Sequence, residues 1–261
     1  MTLVVGSGRL DPLSLLQGGF PNLAVWSKIG NNPLVSIANV PATVWAVPGV
    51  AYPWPAAAQA MEVVSSSPND TAAGTGAQSV TVERLDASYN PLVETVALNG
   101  VTPVLLTGNA LRVNMSTVAT VGTGGQNAGA IDVRIAGGGA VLDRIPLHGA
   151  IGIGRSDSAV YTVPNGQTLY LFDMIPQLSN PSGGGTDNVH LHLHQRLGLT
   201  GPLIADFQVS VTNQSHFVPL HPSLPYLKFP ATTDLEVQLE LSTANNLSID
   251  VLLIGILANN P

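Results

Sequence analysis

The apolar positions of this chain alternate with polar ones and do not recur at helical spacing. In QSVTVERLD, Val80, Val82 and Leu85 read as inward, with Thr81 and Glu83 outward. A period of two is the mark of a half-buried strand. MEVVSSS, ETVALNG, ALRVNMSTVATV, AGAIDVRIA and AVLDRIPL read as further strands of the first half. SAVYTV, QTLYLFDM, VHLHLHQRL, LIADFQVSVTN, LEVQLELS and LSIDVLLIGIL read as strands of the second. Turn residues separate them. Asn99-Gly100 predicts a hairpin into VTPVLL. The glycines at 137–139 predict a turn into AVLDRIPL, and Pro164-Asn165-Gly166 predicts another. The predicted class is all-β: two antiparallel β-sandwich (jelly-roll-like) domains over residues 41–145 and 150–261, divided in the Gly-rich LHGAIGIGR. Residues 1–40 are broken at Gly6, Gly8, Pro12, Gly18, Gly19, Pro21, Gly30 and Pro33, so the prediction there is an irregular N-terminal arm. Leu10, Leu13, Leu15, Leu16 and Phe20 make that arm apolar enough to pack on a neighbouring subunit or another protein.

Composition changes the picture mainly through charge. Only 10% of the 261 residues are Asp, Glu, Lys or Arg, against roughly 25% in an average soluble domain. Lysine occurs only at Lys28 and Lys228. A chain with so little charged skin fits a subunit largely covered by neighbours. The net charge of −7 and the lack of a Lys/Arg cluster argue against nucleic acid as a partner. Without cysteine there are no disulfides and no thiolate metal sites. No apolar run reaches the ~18 residues of a membrane-spanning helix, and the first residues make a poor signal peptide.

Three groups of residues could carry chemistry. His190, His192 and His194 share one face of a strand. The outer two are ~13 Å apart along it, so one chain cannot close all three on one ion. The row either meets a metal at a trimer axis or is a polar face opposite Val189, Leu191 and Leu193. Trp45, Tyr52 and Trp54 are a glycan platform or a set of core and interface anchors. Glu83, Asp86 and Glu94 are a glycosidase carboxylate set or solvated strand charges. The loops GTGGQN and GIGR lack the context of a nucleotide site, and no GxSxG occurs. No catalytic, cofactor-binding or metal residue is assigned, and no cofactor is expected.

The longer motifs carry a resemblance. YPWPAAAQAMEVVSSSPNDTAAGTGAQSVTVERLDASYNPLVETVALNGVTPV, LRV followed by GTGGQNAGAIDVR, AVYTVPNGQTLYL, and KFPATTDLEVQLELSTANNLSIDVLLIGIL resemble virion structural proteins of tailed bacteriophages, over about Ser27 to Leu257. The resemblance implies a non-enzymatic, symmetric component, with a homotrimer as the expected state. It would sit on the capsid as a decoration or cement protein, or on the tail as a short fibre. It would be assembled in the host bacterial cytoplasm and contact major capsid, tail or adaptor proteins through the arm, with no membrane or nucleic-acid partner. The alternatives are a receptor- or glycan-binding tail tip and a particle-borne polysaccharide-degrading enzyme.

Overall fold

The structure, a computed structural model, describes residues 22–147, 154–179, 187–199, 201–212 and 227–260. Among these the chain is all-β, with sixteen strands in four antiparallel sheets and a single turn of 3-10 helix at Ile37–Asn39.

Two sheets enclose the larger apolar cluster. One holds β1 (Leu23–Val35), β11 (Gln167–Ser179), β14 (Leu227–Phe229) and β16 (Leu247–Asn259), in the order β1-β16-β11-β14. The other holds β2 (Ala42–Thr43), β10 (Val160–Thr162), β12 (Asn188–Leu197), β13 (Ile204–Thr212) and β15 (Thr233–Ser242), in the order β10-β15-β12-β13 with β2 also on β15. The alternation in the sequence explains the core directly. Val189, Leu191 and Leu193 of β12 and Leu235, Val237 and Leu239 of β15 line the core from one sheet, with Leu191 opposite Leu239 and Leu193 opposite Val237, while Leu247, Ile249, Val251 and Leu253 come from the other. A register shift between Leu171 and Asp173 moves the inward positions from Leu169 and Leu171 to Met174.

The remaining strands form a second body around their own cluster. They are β3 (Met61–Ser65), β4 (Ala77–Leu85), β5 (Pro91–Ala97), β6 (Val104–Leu105), β7 (Arg112–Val121), β8 (Ile131–Ile135) and β9 (Val141–Ile145). Their orders are β6-β3-β8-β9 and β5-β4-β7. Met61, Val63, Val80, Val82, Val113, Ile131, Val133, Leu142 and Ile145 fill the space between them.

The way the two bodies join is unusual. One edge of β15 is covered first by Ala42 and Thr43, opposite Leu239 and Gln238, and then by Val160–Thr162, opposite Glu236–Asp234. Val237 bridges the two pieces: its carbonyl accepts from Val44 N–H at 2.9 Å, and its N–H donates to Ala159 at 3.1 Å. Between them the chain leaves the sheet, builds the second body and returns. Entry and exit pair with each other, Ala159 N–H to Val44 O and Ala46 N–H to Asp157 O, both 2.9 Å, with Trp45 bridged to Ser158. Residues 45–158 are thus an insert spliced into one edge position of the frame formed by β1, β2 and β10–β16. Gly30 of β1 lies against this splice. A Cβ there would sit 2.5 Å from Ala159 Cβ and 2.7 Å from Val44 O, so only glycine fits.

Two expectations need correction. Residues 1–40 are not irregular throughout: Leu23–Val35 is a 13-residue strand paired with β16, and residues 1–21 lie outside the described residues. Pro33 falls near the strand's end, where the register shifts between Asn32 and Val35. Asn99-Gly100 does not close a hairpin. β5 pairs with β4, whereas β6 pairs with β3 in the facing sheet, so the turn carries the chain between sheets. Gly100 takes φ +62° there, its N–H donating to Asp70 O and its carbonyl accepting from Ser65 N–H. The turn predicted at glycines 137–139 is present: Gly137 and Gly138 take positive φ and β8 pairs with β9 across it. Residues 148–153, 180–186, 200 and 213–226 also lie outside the described residues.

Candidate functional site

The insert returns to the frame through a buried polar and aromatic junction. At its centre is the carboxylate of Asp234, on β15. One oxygen accepts from Arg112 Nε at 2.9 Å and Thr162 Oγ1 at 2.6 Å. The other accepts from Arg112 Nη2 at 2.8 Å and Arg196 Nη2 at 2.7 Å. Arg112 belongs to β7 of the insert, and Arg196 to β12 of the frame. Arg112 and Asp234 are both sealed from water, at 1% and 0% exposure. Both guanidiniums lie over the Trp54 ring, the central carbon of Arg112 5.1 Å and that of Arg196 4.8 Å from its centroid. Trp54 Nε1 donates to Glu236 Oε2 at 2.8 Å. The Thr43 hydroxyl donates to the same carboxylate and accepts from Tyr52 N–H at 2.7 Å.

Trp45, Tyr52 and Trp54 therefore do not form an exposed platform. Trp45 packs edge-on against Tyr52 at 5.2 Å, and Tyr52 against Trp54 at 4.6 Å. Trp45 and Tyr52 are buried, and burial holds the Tyr52 phenol well above its ordinary pKa. The Pro-rich 48–55 segment turns back to the splice, where Val50 O accepts from Thr43 N–H, Tyr52 N–H donates to the Thr43 hydroxyl and Trp54 reaches Glu236 of β15. A second polar contact crosses the junction nearby. Lys28 of β1 donates to Asn114 O of β7, and Asn114 in turn exchanges hydrogen bonds of 2.9 Å with both backbone groups of Thr162. Burial lowers the Lys28 pKa, opposed by the charge of Asp143. Burial raises the Asp143 pKa, opposed by Lys28 and the hydroxyls of Ser116 and Ser156.

The three histidines stand on β12 with their faces as expected, opposite the buried Val189, Leu191 and Leu193. They do not act as one row. His190 lies beside Asn188, Nε2 to Nδ2 at 3.4 Å. His192 and His194 instead converge on Glu240 of β15, His194 Nε2 at 3.5 Å and His192 Nδ1 at 4.0 Å from its Oε1. Glu240 falls where the β12–β15 register shifts, between the His190–Leu241 and Leu191–Leu239 pairs. The sequence gives no sign of that bulge, so the third member of the cluster was not predictable from spacing.

Glu83, Asp86 and Glu94 have separate surroundings. Glu94 pairs with Arg84 at 2.6 Å and accepts from Thr107 N–H and Oγ1. Asp86 closes the 86–90 turn by accepting from Ser88 and Asn90 N–H. Glu83 lies mid-strand on β4, opposite Val93 and Met115. The glycine loops are organised by Asp70, which is fully buried. It accepts from Ala77 N–H at 2.7 Å, Ala128 N–H at 2.8 Å, Gly129 N–H at 2.9 Å and Ser65 Oγ at 2.5 Å. A cleft of about 330 Å³ beside this knot is lined by Thr75, Gly124, Asn127 and Leu147.

No family model matches the chain, and no curated protein matches it. Among solved structures, it is weakly similar to the infectious bursal disease virus VP2 subviral particle, at 12% identity and a TM-score of 0.20, over 96% of this chain and 78% of that one. The structure of the infectious bursal disease virus Gt strain gives 13% identity and a TM-score of 0.16, over 97% and 83%. Likeness at this level carries no argument about fold or function.

Proposed function

We propose that this chain is a non-enzymatic structural subunit of a tailed-bacteriophage virion, a symmetric trimer that decorates the capsid or forms a short tail fibre or adaptor. The observation that carries the reading is the strand order of the frame. Counting β2 and β10 as the two pieces of one strand, the frame has eight strands, with the first beside the eighth, third and sixth, facing the second, seventh, fourth and fifth. That order supports a jelly-roll reading, an architecture that hosts capsid and lectin domains. The finer fold reading follows: a jelly-roll frame, interrupted within its second strand by a smaller two-sheet sandwich. Fold alone does not determine function. Two further features favour a subunit role. Charged residues are scarce, and Leu197, Leu199 and Ile204 are exposed together at the turn end of the β12–β13 pair.

In this reading residues 2–21 attach the subunit to a capsid, tail or adaptor protein, and the insert projects from the frame. Light scattering on the purified chain is expected to give three times its 26.9 kDa mass; a monomer at high concentration counts against the trimer. Deletion of residues 2–21 is expected to leave a folded trimer that no longer joins particles. The deletion must stop before Leu23, because Leu23, Ala24 and Val25 pair with Ala258, Leu257 and Ile256. Normal incorporation of the truncated chain would overturn the attachment role.

A further inference from the structure

We propose that His192, His194 and Glu240 form a binding site for a divalent first-row transition ion, with Zn²⁺ the best match. Their ligand atoms all lie within 4.8 Å of one another. A tetrahedral zinc with bonds of ~2.0–2.1 Å places its ligand atoms about 3.3–3.4 Å apart. The observed 3.5 and 4.0 Å separations from Glu240 Oε1 need only small side-chain adjustments to reach that geometry. Two imidazoles and one carboxylate suit zinc, whereas calcium and magnesium prefer oxygen donors throughout.

The surroundings favour a site over a chance meeting. The two strands that carry the ligands are central in their sheet, and pairing with Gln238 and Glu236 fixes the backbone of His192 and His194, while Glu240 is the extra residue at the register shift. The register shift brings Glu240 to the histidines, although Gln238 and Glu236 are the residues directly across from them. Both of those neighbours are engaged elsewhere: Gln238 Nε2 donates to Glu236 at 3.0 Å, and Glu236 accepts from Trp54 and Thr43. The cluster sits at the margin of the junction. His194 is buried there, while the His192 and Glu240 side chains remain 23% and 30% exposed. An ion can therefore enter from the His192 side and keep one coordination position for water. The site lies within one chain and differs from a shared row at a symmetry axis.

The test uses the full chain, stripped with a chelator and titrated calorimetrically with Zn²⁺, and with Co²⁺ read by its visible absorption. One Zn²⁺ per chain is expected, together with a tetrahedral or five-coordinate Co²⁺ spectrum and no heat from Mg²⁺ or Ca²⁺. His192→Ala and Glu240→Gln, both at half-exposed positions that spare the core, should each weaken Zn²⁺ binding by about tenfold or more. His190→Ala should leave it unchanged. Absence of saturable Zn²⁺ binding, a stoichiometry of one ion per three chains, or an equal loss in His190→Ala would overturn the proposal.

Discussion

Replacing Asp234 with alanine tests the junction most sharply. The substitution leaves the Arg112 guanidinium in a site at 1% exposure with its carboxylate gone. Its remaining acceptors are the carbonyls of Pro55 and Leu111, at 2.6 and 3.0 Å from Nη1. Removing one partner of a buried ion pair costs ~3–5 kcal/mol, chiefly because the other charge stays buried and uncompensated. Arg196, 15% exposed, can turn towards water and adds less. The expected loss is about 4 kcal/mol, a large fraction of the ~5–15 kcal/mol that stabilises a typical domain. Urea unfolding followed by tryptophan fluorescence is a suitable assay, since both guanidiniums lie over the Trp54 ring. Arg144→Met is the control. Its pair with Asp132 is partly exposed on both sides, so it should cost ~1 kcal/mol or less. A double-mutant cycle of Arg112→Met with Asp234→Asn should return a coupling of roughly 1.5–3 kcal/mol. A loss below about 1 kcal/mol in Asp234→Ala, or strictly additive effects in the cycle, would refute the claim that this pair ties insert to frame.

Three further outcomes follow from the same geometry. Asp70→Ala orphans the buried N–H groups of Ala77 and Gly129 and should cost about 3 kcal/mol or more, read as a lower urea midpoint. Gly30→Ala forces a methyl against Ala159 and Val44 and should cost about 1–3 kcal/mol, whereas Gly166→Ala, with open space around it, should show only the strain of φ +74°. For Glu62, burial acts to raise the pKa, but the Gly137 N–H, the Arg134 guanidinium and the Gly138 N–H together outweigh it and hold the pKa below its ordinary value of 4.5. A depressed carboxylate stabilises the fold above its unfolded pKa, and that contribution fades as pH falls through the folded one. Glu62→Gln should therefore lose less stability than the parent between pH 5 and lower values, measured by thermal melts across that range; parallel profiles would count against it.

Strand positions were legible in the sequence because alternation is a local property. Val80 and Val82, Val189, Leu191 and Leu193, and Leu235, Val237 and Leu239 all face the core as their spacing predicts. Strand partners were not legible, because pairing depends on register and on residues far apart in the chain. Leu23–Val35, broken by Gly30 and Pro33, looked irregular, yet it is an edge strand paired along β16, with Gly30 against the splice and Pro33 beside a register shift. The splice itself joins Thr43 to Val160 across more than a hundred residues, with nothing local to announce it. The aromatic trio was visible as a group, but its burial depends on Arg112, Arg196 and Glu236, which alternation alone does not bring together. Likewise the histidine face was visible and Glu240 was not, since a bulge set its direction.

The most direct test of the virion-subunit reading is a cryo-electron microscopy reconstruction of intact particles, with the protein content of the same preparation measured by mass spectrometry. The account predicts that the chain is present in stoichiometric amounts and that its frame and insert fit density repeated about a three-fold axis on the outer head or tail. Particles that are complete and infectious yet contain none of the chain would contradict it.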